Sequence, residues 1–389
     1  MNTLHRSFHI LLLALAVFIL LPCTVHAANS EPEANCVESS TQYSQPIEAQ
    51  FESSGAYSLT DEIPDNARKI LGDIKPSVSP NFSGALKKIV ASVVGHTGSY
   101  LREGIGEAVK LLSIALLCGI AREFTSQTST GFSVTAVCGT AAAAAVTLGG
   151  TSTLISEARA LLSTLSGFSK CLLPVLTTAA VACGAPTAAT THYAAVVFLC
   201  DVVITALDGF IVTCALSTLA LQLGMAVSGN PMPGKLADMI NWIASTSLKT
   251  ILTLFLTYLT LNGILSGNTD ALALKGMKLA MSTALPVIGS VMSDAAEAVL
   301  TGAKLVRNVT GAFGAVILAA AAVLPLLRLG IRALCFRFAA AAVSLCQIPA
   351  LERVAQALSD TCYLLFGLCG TATLLLLISS ASIILIGGV

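Results

Sequence analysis

Four stretches of this chain, 132–150, 210–227, 309–327 and 361–387, are each long and apolar enough to carry a helix across a bilayer. A crossing takes roughly 20 mostly apolar residues, and the hydrocarbon tolerates only backbone that satisfies itself. Two more stretches meet the length with a charge inside or at the edge: 188–207 contains Asp201, and 250–265 follows Lys249. Segments 105–121, 171–186, 279–292 and 338–351 are apolar but short or interrupted, and fit short spans, re-entrant pieces or interfacial helices. The expected fold is all-α, a polytopic helical membrane protein with six to eight transmembrane helices. Only 11% of the 389 residues are charged, against about 25% in a soluble domain. That excludes a soluble enzyme. Lys+Arg and Asp+Glu stand at 21 each, so the zero net charge gives no electrostatic basis for binding nucleic acid.

The front of the chain reads differently. Arg6, the unbroken apolar run Ile10 to Leu21 and the small residues of Val25-His26-Ala27 have the layout of a secretory signal over 1–27, with an uncleaved first helix as the alternative. Pro22 stands where a lipoprotein site needs a small residue before Cys23, so lipidation is not expected. A cleaved signal places residues 28–104 outside the cytoplasm. Residues 28–107 hold 11 acids against 6 bases, and 28–61 are too poor in large aliphatics to offset chain entropy, so disorder is expected there. Helical patterning begins near Asp61. Phe82, Leu86, Ile89, Val90 and Val93 form a stripe that Gly95 and Gly98 are expected to break, before another starts at Ile105. The polytopic domain is then 105–389. Its cysteines lie in apolar runs, where a thiol packs as a small hydrophobe.

Orientation follows from Arg328, Arg332 and Arg337, which come directly after the span 309–327 and read as a cytoplasmic run. An exported start requires an odd number of crossings through Leu327. Counts of five or seven both satisfy that, put Val389 outside, and leave 266–308 outside as well. Small residues, as in Gly139 to Ala145 and Ala319 to Ala322, let helix backbones approach closely in lipid and argue for a tight bundle or a homo-oligomer.

Catalytic and cofactor chemistry finds little support. Gly229-Asn230-Pro231-Met232-Pro233-Gly234-Lys235 has the spacing of a phosphate-binding loop, yet Pro231 and Pro233 lack the N–H groups such a loop aims at phosphate, and Leu236 replaces the magnesium-binding hydroxyl. It reads as a stiff loop between spans. Asp201 and Asp208 share a face if one helix carries both, the pattern of an ion path, but Asp208-Gly209 also reads as a tight turn between spans. His96 and His192 stand alone, and no HExxH or serine-nucleophile motif occurs. No catalytic, metal or cofactor residue is assigned, and no enzyme is expected.

The most informative segment is 275–308. Pro286 interrupts a helical stretch in Leu285-Pro286-Val287-Ile288-Gly289. Ser293, Asp294 and Glu297 follow, with Lys304 and Arg307, on a run leading into span 309–327. The plain reading is a kinked amphipathic connector; the sharper one is a broken helix lining a polar passage or docking on a partner. Pro286, Gly289, Ser293, Asp294 and Glu297 are the candidates for structural or partner-contact roles.

This segment, with the span ending Leu324-Pro325-Leu326-Leu327, the Arg-containing helix Arg332 to Ser344, the polar helix Leu351 to Asp360 and the last long span, resembles the C-terminal region of stage III sporulation protein AE over about 275–389. The resemblance implies a subunit of a multi-protein membrane complex formed with the other stage III sporulation A-operon proteins in the mother-cell membrane around the forespore. That complex is a channel between the two cells needed for late forespore gene expression. No catalytic residue or cofactor comes with the resemblance. A different reading, a secondary transporter using Asp201 and the break at Pro286, lacks the paired interrupted helices usual in such folds.

Overall fold

The structure, a computed structural model, describes residues 51–385 except 53, 73, 75–81, 126–133, 184–199, 201, 229, 231 and 285–288, with 122–123, 134–136, 227, 259–284, 289–299 and 383–385 described by backbone alone. The described residues are helical throughout, with no strand among them. A 3₁₀ turn (Ala56–Thr60) and a short helix α1 (Asp65–Leu71) precede six long elements. These are α2 (Phe82–Thr125), α3 (Val134–Ala182), α4 (Val212–Ser228), α5 (Met232–Ala284), α6 (Gly289–Ser344) and α7 (Pro349–Leu385). A π-helical turn, Leu207–Ile211, joins α4 to the helical residues before it. All six are long and apolar enough to cross a membrane, α4 as part of Val202–Ala226.

Register between neighbours gives the topology. Glu103 and Glu107 of α2 meet Arg328 and Arg332 of α6, so these helices run parallel. Gly150, Glu157 and Leu172 of α3 meet Arg332, Arg328 and Gly314, so α3 runs against α6. Ser359 of α7 donates to the carbonyl of Ala333 at 3.0 Å, and Phe366 lies against Gly330, so α6 and α7 form an antiparallel hairpin across the turn 345–348. Met225 packs on Gly234 in the α4–α5 hairpin, and Leu248 of α5 lies against Gly367 of α7. The direction of the chain therefore alternates through all six helices. The side of Arg328 on which α2 and α6 begin is here the near end; the turn 345–348 lies at the far end.

The core is made where α3, α6 and α7 meet. Leu161, Leu165, Leu172 and Leu176 of α3, Phe313, Ile317 and Leu318 of α6, and Leu365, Leu368 and Leu375 of α7 are buried. Ala320, Ala321 and Ala322 are buried as the small-residue argument requires, while in the run Gly139 to Ala145 only Gly139, Thr140 and Ala143 are buried and Ala141, Ala142 and Ala145 face outward.

Several local expectations are corrected. Gly95 and Gly98 do not break a helix: α2 runs on through both for 44 residues. A glycine costs about 1 kcal/mol against alanine, too little to stop a helix anchored along α6 by buried Leu111 and Ala115. Segments 105–121, 171–186 and 338–351 are not separate short spans among the described residues: 105–121 belongs to α2, 171–182 ends α3, and 338–351 is divided between the end of α6, the turn 345–348 and the start of α7. The helix α6 passes through Pro325 instead of ending there, since a bundle interior tolerates the lost hydrogen bond. Asp208-Gly209 is no turn, because the π-helical residues carry the chain straight through it. Residues 54–61, expected to be disordered, are folded: Phe51, Ala56 and Leu59 are buried, and Thr178 of α3 donates to the carbonyl of Ser54 at 3.3 Å. Three apolar side chains suffice there because the end of α3 supplies the opposite wall. The signal, the rest of 28–50, Asp201 and Pro286 lie outside the described residues.

Candidate functional site

Apolar side chains fill both halves of the bundle, and a layer of charge crosses it between them. At its centre Arg328 pairs with Glu157 of α3 and, at 3.0 Å, with Glu103 of α2. One turn on, Arg332 pairs with Glu107 and lies 3.7 Å from Glu103. Tyr100 completes this group, its ring 5.7 Å from the Arg328 guanidinium. The local geometry is simple. Residues four apart on a helix share a face, so Glu103/Glu107 on α2 and Arg328/Arg332 on α6 present matched pairs when the helices run parallel.

Glycine makes the close approach possible. A Cβ at Gly150 would clash with the Glu107 carboxylate and lie 3.0 Å from Arg332 Nη1, so α3 reaches the ion pairs only because that position carries no side chain. Gly104 serves the same purpose nearby on α2, where a Cβ would stand 2.7 Å from Cys335 Sγ.

The layer continues outward. Arg337 of α6 stands 3.9 Å from Asp360 of α7, which has Asp238 of α5 among its charged neighbours. On the other side Arg159 of α3 lies 3.4 Å from Asp208 in the π-helical turn. Five of the six long elements, together with the π-helical turn that leads into α4, thus contribute a charge at this level. The pairs differ in worth. Arg332 is 6% exposed and Glu107 16%, so removing Arg332 strands the Glu107 carboxylate. Arg159 and Asp208 are about half exposed, and such a pair contributes under about 1 kcal/mol.

The residues singled out from sequence do not join this layer. Gly289, Ser293, Asp294 and Glu297 fall in the first turns of α6, with Ser293 and Glu297 four apart, about 46 to 58 Å along the helix from Arg328 at 1.5 Å per residue. Arg328, Arg332 and Arg337, read as a cytoplasmic run, face carboxylates of three other helices. The signal that would have found the layer is the matched i, i+4 spacing of opposite charges inside otherwise apolar stretches.

Chemically the layer is an interlock. Each of its arginines already faces a carboxylate, and among the described residues no three His, Cys, Asp or Glu side chains are grouped to hold a metal ion.

Comparison with known proteins adds the family. The chain is 24% identical over 187 residues to stage III sporulation protein AE of Bacillus subtilis (strain 168), covering 48% of this chain and 47% of that protein, so it matches about half the length of that relative. No solved structure matches. The family model described as "Stage III sporulation protein AE" matches residues 73–387, far beyond the 275–389 over which the likeness was first legible. With that match spanning α2 to α7 and the charged layer between them, the chain belongs to the stage III sporulation protein AE family.

Proposed function

We propose that this protein is a non-enzymatic membrane subunit of the channel complex joining mother cell and forespore, working with the other stage III sporulation A-operon proteins. The observation that carries the reading is the family match over 73–387. Six long apolar helices locked by internal ion pairs supply what a fixed membrane scaffold needs. In this reading the protein resides in the mother-cell membrane around the forespore. Its signal is removed, the near end with α1 faces the space between the two membranes, and the turn 345–348 faces the mother-cell cytoplasm. Lys110, Arg337 and Arg353, on the far side of the central pairs, accord with that orientation.

Deleting the gene in its spore-forming host is expected to block spores at the engulfed-forespore stage, with late forespore reporters silent and earlier ones normal. Heat-resistant spores in normal number would overturn the reading. Purified protein that moves a solute across liposomes without partners would instead favour a transporter.

A further inference from the structure

The helices are far longer than a membrane is thick. Helix α3 has 49 residues and α6 has 56, which at 1.5 Å per residue is about 74 and 84 Å. The hydrocarbon core measures about 30 Å. One bilayer therefore covers only part of the bundle, and the outward-facing side chains show which part.

On the far side of Arg328 the outward faces are apolar. Helix α2 exposes Ile105, Val109, Leu116, Leu117, Ile120 and Phe124 there. Leu148 of α3, Leu216 of α4, Trp242 of α5 and Phe338 of α6 are exposed in the same half. The lengths suit a bilayer: about 33 Å from Glu103 to Thr125, about 35 Å from Val134 to Glu157 and about 30 Å from Asp208 to Ser228. Most of the charges described in this half sit at its edge. Lys235, Glu352 and Arg353 lie in the first turns of α5 and α7, at the far end. Of those further in, Arg337 faces Asp360, which has Asp238 as a neighbour. Lys110 lies two turns past Glu103, and its long apolar stem lets the ammonium reach the edge.

On the near side the outward faces are polar. Ser152, Ser156, Arg159, Ser163, Gly167 and Lys170 recur every three or four residues along α3, all exposed. No large apolar side chain of α3 is exposed from Ser152 until Val181. The folded segment before α2 runs beside this helix. Ser54 accepts a hydrogen bond from Thr178, and Asp61, Glu62, Asp65 and Asn66 stand with Thr164 around a cavity of about 400 Å³. Thr164 and Thr178 are about 10 and 32 Å past Glu157, the depth that lipid would occupy if the bilayer covered this half. Asp61, Glu62, Asp65, Arg68 and Lys69 are nevertheless exposed, as are Lys87, Lys88, His96 and Arg102 of α2 and Lys304 of α6. Charges are costly in hydrocarbon. The exposed apolar residues on this side, Val94 and Leu254 the most open of them, stand among polar neighbours, as on any water-facing surface.

The strongest apolar runs do not oppose this placement. Residues 309–327 of α6 and 361–380 of α7 include no exposed position, so their hydropathy reflects a packed core and not a lipid-facing surface.

We infer that lipid encloses the far half of the bundle, between the level of Glu103, Glu157 and Asp208 and the turn 345–348. The near half stands in water as a helical domain cored by α3, α6 and α7, and α3 carries it about 38 Å from the bilayer at Ala182. Much of 309–327 and 361–387 then belongs to the core of that domain. The inference needs a chain that spans a membrane and nothing of its sporulation role, so its failure leaves the deletion phenotype standing.

The test places the full-length chain in phosphatidylcholine nanodiscs, with brominated acyl chains as the quencher in lipid and iodide as the quencher in water. Trp242 is the sole tryptophan, so the unaltered chain gives the first reading. Brominated lipid is expected to remove about half of its emission, and iodide little, because it lies about 15 Å in from Met232. In a Trp242→Phe background, Phe338→Trp should respond in the same way. Ser163→Trp should do the reverse, quenched by iodide and indifferent to bromine. Trp242 spared by brominated lipid overturns the inference even if neither variant folds. Quenching of Ser163→Trp by brominated lipid would put the near half in the membrane. Shielding of Phe338→Trp or Ser163→Trp from both quenchers would mean that protein covers that face, and either result overturns the inference.

Discussion

Arg332→Leu is expected to destabilise the folded bundle by about 3–5 kcal/mol, the cost of stranding one member of a buried ion pair. The Arg332 side chain is almost fully enclosed and Glu107 little less so, so water cannot take over as partner. Glu103 keeps Arg328, but Glu107 is left with none of the ion pairs described here. Adding Glu107→Leu to Arg332→Leu should restore most of the loss, because two apolar side chains of similar volume leave no charge unmatched. Arg159→Ala should cost under about 1 kcal/mol, since its pairing with Asp208 is half in solvent. Unfolding in mixed detergent micelles, followed by helical circular dichroism, measures all three. An Arg332→Leu protein as stable as Arg159→Ala would mean that the charged layer holds nothing together.

Gly314→Val is expected to cost about 3 kcal/mol through overpacking. A Cβ at Gly314 would stand 2.5 and 2.6 Å from the two Cδ atoms of Leu172 and 3.1 Å from its Cγ. Leu172 has no room to turn away, being buried between α3 and α6. Leu172→Ala alone opens a cavity and should cost about 2–5 kcal/mol. The double variant exchanges one volume for the other, so it should be more stable than the sum of the single losses predicts, and closer to the parent than Leu172→Ala alone. The same unfolding measurement reports it. Simple additivity would show that α3 and α6 do not touch where the structure puts them.

Helicity, membrane character and an approximate number of crossings were legible in the sequence, because apolar runs of crossing length leave few alternatives. The span Val202–Ala226 was half visible as 210–227, but Asp208-Gly209 imitates a turn. Only the pairing of Asp208 with Arg159 of another helix explains a charge inside a continuous element. Helix length was not legible for a similar reason. Glu157 and Arg159 look like the polar end of a span when α3 is read alone. They become interior once Arg328 and Asp208 are known to neutralise them. Periodicity is a local property, and the ion pairs of Glu157 with Arg328 and of Glu107 with Arg332 join residues 171 and 225 positions apart. The family likeness was legible first near Pro286 because that stretch combines a helix breaker with a Ser-Asp pair and a Glu, while the alanine-rich middle resembles any tight bundle.

The 225-residue separation between Glu107 and Arg332 also bears on how the protein is made. A ribosome delivers the acids of α2 long before it delivers the bases of α6. Until then Glu103 and Glu107 are bare carboxylates on a greasy segment, and only the last third of the polypeptide brings their counter-ions. The earliest-made of the described long helices is consequently the one that cannot settle until nearly all the others have been synthesised.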